Sequence, residues 1–181
     1  VTAMLFHVVR VVSSVARGLL QRQMTGSSKL PHVYRARAGL PDIDQFGHMN
    51  NAAYLVHCEM ARWELSAASG LLGVCMQKRG AFLVATSAVR YRRPISPMQR
   101  FEVHTSLAQC DERTVVFDHA FVAEGQVHAR AVCRAVVKSP SGLLSPSALL
   151  GSLGLSMPTT VDPQVTEAVA SLTQLDRNLK D

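Results

Sequence analysis

The densest group of chemically versatile side chains lies in one short segment of this 181-residue sequence. Residues 42–54 read DIDQFGHMNNAAY, so two carboxylates, one imidazole and two adjacent amides fall within ten residues. An aspartate in such a segment could act as a general base on water or attack an electrophile directly. Asp and Asn side chains also satisfy loop amides in a capped turn. The residue types alone leave both interpretations of the segment open.

The polar segment leads into a predicted helix. Asn50 or Asn51 can cap this helix, which runs to about Ser69. Gly70 then provides a stop signal. A helix N-terminus presents unpaired backbone N–H groups and a partial positive charge, which can polarise a carbonyl and stabilise an oxyanion. The segment and the start of the helix together form the candidate site.

Five β-rich stretches must position this site. One precedes the helix at residues 32–38, and four follow a second short helical stretch near 71–79. These four stretches are residues 81–91, 101–110, 114–123 and 127–138. Their short connections at 110–113 and 123–126 favour antiparallel hairpins, so we predict a four-stranded antiparallel meander. The fold class is therefore α+β, with the sheet burying one face on the long helix.

Two proline-flanked segments divide the chain into three parts. They lie at residues 26–31 and 139–147. We predict a basic leader at 1–29, a domain at 30–147 and a tail at 148–181. The tail has apolar residues at near-helical spacing from Val165 to Leu179, which predicts an amphipathic helix docked on the domain or on a partner.

The excess of positive charge is concentrated near the N-terminus. The formal net charge is +6, and the first acidic residue is Asp42. The body from residue 42 onward is neutral, so we expect no direct nucleic-acid binding by the core domain. An acid-free segment in which arginines interrupt Val- and Leu-rich runs is typical of a mitochondrial presequence. The alternatives are a membrane-surface helix or signal anchor and a helix docked on its own domain.

The four cysteines are far apart in the sequence. None of them has a close Cys or His at the spacing of a metal site. This pattern predicts buried thiols in a reducing compartment, with no metal site and no redox pair. The residues concerned are Cys58, Cys75, Cys110 and Cys133.

The polar segment resembles the signature D-x-D-x-x-x-H-x-N-N-x-x-Y of hotdog-fold thioesterases of the 4-hydroxybenzoyl-CoA and acyl-ACP type. The stretch from Arg90 to Val122 is also similar to animal members of that superfamily. The resemblance covers roughly residues 32–138. It implies the hotdog fold, in which an antiparallel β-sheet wraps a long central helix.

The resemblance also implies roles for individual residues. Asp44, the second Asp of the D-x-D, takes the position of the catalytic carboxylate that acts on the thioester carbonyl. Backbone N–H groups near Asn50 and Asn51 would polarise that carbonyl, and His48 and Asn51 would position water or substrate. The further residues implied to line or support the substrate site are Gly47, Asn50, Tyr54 and Glu59, with Arg90, Arg92 and Arg93 at the CoA phosphates.

One position departs from the plant enzymes of this type. They carry Asn two residues after the catalytic Asp, where this chain has Phe46. An Asp-Asn-His triad is therefore not complete, and Asp44 with the helix N-terminus forms the core of the expected site.

The resemblance implies an acyl-CoA thioesterase that works as a homodimer or a tetramer, with its pocket between two subunits. Coenzyme A enters as part of the substrate, and no other cofactor and no metal is expected. The alternative is a catalytically silent hotdog subunit of a large mitochondrial assembly, such as a ribosome or a respiratory complex, because fold does not fix function. A third possibility is binding of an acyl-CoA or lipid without turnover.

Overall fold

A computed structural model describes residues 2–26, 30–155 and 161–179. Residues 27–29, within the predicted boundary after the leader, lie outside the described residues. The helices are α1 (Thr2–Thr25), α2 (Asn51–Ser69), α3 (Leu71–Gln77), α4 (Pro146–Gly151) and α5 (Pro163–Asn178). The strands are β1 (His32–Arg37), β2 (Ala81–Tyr91), β3 (Arg100–Cys110), β4 (Val115–Ala123), β5 (Gln126–Ser139) and β6 (Gly142–Leu144). The predicted α+β hotdog arrangement, an antiparallel sheet around a long helix, is confirmed.

Helix α2 has the boundaries that its capping residues predict. The Asn50 side chain accepts a hydrogen bond from the Ala52 N–H at 2.8 Å, which satisfies one of the free amides of the first turn. Gly70 ends the helix in the left-handed conformation, with φ of 86°, where a Cβ would be strained. Small residues on the buried face, including Ala53 and Ala61, pack in one core cluster with residues of the sheet such as Phe121 and Ala131.

The order of the strands differs from the predicted meander. Strands β3, β4 and β5 are sequential neighbours, but β2 pairs with β5 at the far edge and β1 pairs with β3. The four-stranded meander is therefore wrong, because residues 92–99 form a crossing connection instead of a hairpin. Buried Ile95 anchors this connection, and its carbonyl accepts a hydrogen bond from the Met49 N–H at 2.9 Å. The crossing thus runs beside the polar segment.

The tail helix α5 packs on the outer face of the sheet, opposite α2. Its Val165, Val169 and Leu172 are buried against Val116 of β4 and Val132 of β5. Two aspartates reinforce this packing, one at the N-cap of α5 and one within the helix. Asp162 pairs with Arg130 at 2.7 Å, and Asp176 pairs with Arg134 at 2.9 Å and accepts from Thr86 at 2.7 Å. The predicted amphipathic tail helix is therefore present and docks on the domain.

Helix α1 packs against α2 and leaves a second apolar face outside. Gly18 lies so close to α2 that a Cβ there would collide with the Glu64 carbonyl. On the outer side, Leu5 and Val12 are 62% and 61% exposed. In residues 2–26, 30–155 and 161–179, no helix combines the length and apolar character needed to span a membrane. The segment is therefore built as a docked helix with an uncovered apolar surface.

Candidate active site

The polar segment forms a tight loop between β1 and α2, and Asp44 holds that loop together. Its Oδ1 accepts the backbone N–H of Phe46 at 2.9 Å and that of His48 at 3.4 Å. The Asp44 amide donates to the His48 carbonyl at 2.9 Å. Gly47 turns the chain with φ of 76°, a conformation that favours glycine. The Asp44 side chain is therefore fixed in one orientation while it remains half-buried.

The neighbouring Asp42 has a different environment. Its buried carboxylate accepts from Arg10 Nη2 at 2.7 Å and from the Gly39 N–H at 3.0 Å, and His57 Nε2 lies 3.3 Å away. Burial opposes ionisation, but His57, Arg10 and the Gly39 amide hold the pKa of Asp42 at about 2. Asp42 is thus a structural anchor, and the capped-turn interpretation applies to it.

The remaining signature residues gather where the loop enters α2. His48, Asn50 and Asn51 are exposed, and Asn50 caps the helix. Tyr54 is 2% exposed and its ring packs edge-on against Phe121 at a centroid distance of 5.0 Å. Tyr54 therefore contributes packing. Phe46, at the departing position, projects into solvent with 75% exposure and offers no amide to the site.

Three arginines lie at the same end of the molecule. Arg90, Arg92 and Arg93 are exposed at the end of β2 and just beyond it. Tyr91, between them, donates its hydroxyl to the Asn51 carbonyl at 3.2 Å. This contact joins the end of β2 to the start of α2, so the backbone that carries the three arginines runs close to the start of that helix.

A cavity of about 650 Å³ lies further along α2, between this helix and β2. Glu59 is the one predicted site residue in its lining, whereas Asp44, His48 and Asn51 are not part of it. The Glu59 carboxylate accepts from Trp63 Nε1 at 3.3 Å and lies 3.4 Å from His7 of α1. The structure therefore separates the predicted catalytic loop from this cavity.

Sequence analysis missed a buried cluster beside that cavity. Cys58 of α2, His119 of β4 and Cys133 of β5 each offer a ligand atom, and these atoms lie within 4.8 Å of one another. A hydrogen bond from the Cys58 thiol is the main influence that lowers the pKa of Cys133 to about 3, against the effect of burial. Burial raises the pKa of Cys58 and lowers that of His119.

Residue periodicity held a partial signal for this cluster. His119 shares the inward face of β4 with Phe117 and Phe121, and Cys133 alternates in phase with the inward alanines of β5. An inward-facing side chain can lie anywhere along its strand or helix. The spacing of residues in the sequence therefore could not predict that these three side chains meet.

Comparison with known proteins gives a consistent assignment. A sequence profile of the thioesterase-like superfamily matches residues 39–146, which include the loop, α2 and the strands β2 to β6. The protein THEM6 of Danio rerio is 32% identical over 116 residues, which cover 62% of this chain and 57% of that protein. THEM6 of Drosophila melanogaster is 29% identical over 130 residues, covering 70% and 65%. The chain thus spans less than two thirds of these relatives.

Solved structures share the same fold. The BH1999 gentisyl-coenzyme A thioesterase superposes with a TM-score of 0.62 and 16% identity, over 68% of this chain and 99% of that one. Slr0204, a 1,4-dihydroxy-2-naphthoyl-CoA thioesterase from Synechocystis, superposes with a TM-score of 0.59 and 16% identity, over 67% and 92%. At this identity the likeness concerns the fold alone.

Proposed function

This chain belongs to the thioesterase-like superfamily, and on that basis we propose that it hydrolyses acyl-CoA thioesters at the loop that enters α2. The observation that carries the proposal is the contrast between the two aspartates of the loop. Asp42 is engaged by Arg10 and His57, whereas Asp44 is half-buried and oriented by two backbone amides. Asp44 is therefore the carboxylate available for chemistry.

The reaction follows from this placement. Asp44 either removes a proton from water, which then adds to the thioester carbonyl, or adds to that carbonyl itself, and water later hydrolyses the anhydride. In both routes the C–S bond breaks, and coenzyme A leaves as a thiol after taking up a proton. The positive end of α2 favours the negative charge that develops on the carbonyl oxygen. His48 and Asn51, exposed at the same junction, would position water or substrate.

The coenzyme A part of the substrate offers phosphate groups for recognition. Arg90, Arg92 and Arg93 are exposed, and Tyr91 between them contacts the start of α2. Forked guanidinium donors suit the phosphate groups of coenzyme A. Gly47 and Asn50 would contact the acyl group near the thioester, and Glu59 would line the deeper part of its path.

We also propose that the protein is a homodimer, which can pair again into a tetramer. Strand β2 is at one edge of the sheet, and among the described residues no strand covers its outer side. Leu83 and Val84 on this edge are 47% and 43% exposed. A long apolar edge strand favours pairing with another strand. A second copy joined there would place the Asp44 loops near the joined edges.

Thiol release from short, long and aromatic acyl-CoAs tests the enzymatic proposal. We expect turnover by the full chain and a loss of about 100-fold or more in kcat/KM in Asp44→Asn. Glu167→Gln, which neutralises an exposed carboxylate on α5, is the matched control and should leave the rate unchanged. Turnover that survives in Asp44→Asn but is lost in Glu59→Gln would move the chemistry to the cavity.

The second candidate function is that of a silent hotdog subunit. The uncovered apolar face of α1, with Leu5 and Val12 exposed, favours it because such a face suits attachment to a partner or a membrane surface. The same segment is our candidate for mitochondrial delivery, with membrane attachment as the alternative. A folded, dimeric protein that cleaves no acyl-CoA and co-purifies with a mitochondrial assembly would replace the enzymatic proposal with this one.

A further inference from the structure

The buried cluster beside the cavity has the composition of a metal site. We propose that Cys58, His119 and Cys133 bind one zinc ion, with the fourth coordination position open to the cavity. This site is distinct from the loop of Asp44, and the proposal does not depend on thioester hydrolysis.

The donor set and its geometry support zinc. Two thiols and one imidazole come from three elements, α2, β4 and β5, and their ligand atoms lie within 4.8 Å of one another. Tetrahedral zinc, with bonds of 2.0–2.3 Å, separates such ligand atoms by about 3.6–3.8 Å. Small rotations of the three side chains therefore suffice to close the site.

The surroundings of His119 orient it as a ligand. Arg62 Nη1 lies 3.2 Å from His119 Nε2, and Thr105 Oγ1 lies 2.9 Å from Nδ1. Because a guanidinium only donates, Nε2 accepts and Nδ1 carries the proton. A histidine that donates its other nitrogen to a fixed partner is the usual arrangement behind a metal ligand. The lone pair of Nε2 is thus directed at a position that already attracts a cation.

Arg62 competes for that position. Its guanidinium already contacts His119 Nε2, and Arg62 also forms part of the cavity wall. Zinc at the cluster would displace this side chain towards the cavity, because two positive groups at such a distance repel. Arg62 therefore sets the affinity of the site without being a ligand.

The cavity gives access to the fourth coordination position. Cys133 and Ser87 both lie in its lining, and the Ser87 hydroxyl donates to Cys133 Sγ at 3.5 Å. The three protein ligands are themselves buried, with exposures of 0–1%. A site with three protein ligands and one position left for water or another ligand atom is the pattern of zinc centres that are not purely structural.

Cobalt(II) titration of the reduced full-length protein, with elemental analysis for zinc, tests the proposal. We expect one equivalent of cobalt, tetrahedral d–d bands and a charge-transfer intensity that corresponds to two thiolates. Zinc should displace the cobalt and raise the melting temperature. The intensity in the unaltered protein counts the thiolates directly, so this readout does not require any variant to fold.

Variants then assign the ligands and the competitor. Cys133→Ser and Cys58→Ser should each weaken binding by about 100-fold, whereas Cys75→Ser, a buried thiol of the same cavity wall, should bind as the parent does. Arg62→Met should tighten binding by about tenfold, since it removes the competing cation. Absence of stoichiometric uptake by the folded, reduced protein would overturn the proposal. Rapid alkylation of Cys133 in that metal-free protein would instead assign the cluster as a nucleophilic thiolate.

Discussion

The guanidinium of Arg10 lies 2.7 Å from the buried carboxylate of Asp42, so the first helix is tied to the loop that carries Asp44. The side chain of Asp42 is 2% exposed, and the Asp42 carbonyl also accepts the Asn50 N–H at 2.8 Å. The ion pair and this backbone hydrogen bond thus connect α1, the loop and the N-cap of α2. The position of the proposed catalytic carboxylate depends on contacts made by residues outside the family match.

Replacing Arg10 with Met should destabilise the protein and shift its acid unfolding. The pKa of Asp42 is lowered from 3.8 to about 2, so its stabilisation is present above about pH 4 and is lost as the pH falls towards 2. The shift corresponds to about 2 kcal/mol. In Arg10→Met the pKa of Asp42 should rise, and acid unfolding should begin at higher pH. Circular dichroism against pH measures this, with exposed Gln23→Ala on the same helix as the unaffected control.

A matched pair of glycines tests the close packing of α1 on α2. A Cβ at Gly18 would collide with Glu64 and Ala67, whereas one at Gly73 of α3 would meet open space. Gly18→Ala should therefore lower the free energy of unfolding by about 1–3 kcal/mol. Gly73→Ala should raise it by up to about 1 kcal/mol, the gain expected from helix propensity alone. Equal effects in urea unfolding would contradict the docking of α1.

The edge of β2 should decide the oligomeric state. Leu83→Lys places a charge on the exposed edge, which should convert the dimer into a folded monomer in light-scattering chromatography. Leu175→Lys on α5 is the matched control, because both leucines are 47% exposed. A dimer that persists in Leu83→Lys would show that the copies join at another surface.

The three arginines after β2 should act on coenzyme A and not on the acyl group. Joint replacement of Arg90, Arg92 and Arg93 by Ala should raise KM for an acyl-CoA by about tenfold, since each exposed contact contributes little. For an acyl-pantetheine, which lacks the nucleotide phosphates, the variant should have the same KM as the parent. Salt should raise the parental KM for acyl-CoA more strongly than that of the variant. An equal rise in KM for both substrates would instead indicate that the substitutions displace the loop of Asp44.

Local sequence patterns predicted the helices and strands well, but they did not predict contacts between residues far apart in the sequence. Asn50 and Gly70 act on their own turns, so the limits of α2 follow from the sequence. The partner of β2 depends on the path of residues 92–99, which no local pattern encodes. The different environments of the Asp42 and Asp44 carboxylates likewise could not be predicted, because Asp42 is bound by Arg10, which lies 32 residues away in the sequence. The resemblance placed Asp44 in the loop but could not reveal the cluster of Cys58 and Cys133.

Helix α5 cross-links two neighbouring strands of the curved sheet. Through Asp176 it ties Thr86 of β2 to Arg134 of β5, the strand with which β2 pairs at the edge of the sheet. Since β2 is also one wall of the cavity, the stiffness of that wall is governed from the opposite side of the sheet. Substitutions on α5 could therefore adjust the size of ligand that is admitted, by mechanical means, without altering a residue that the ligand touches.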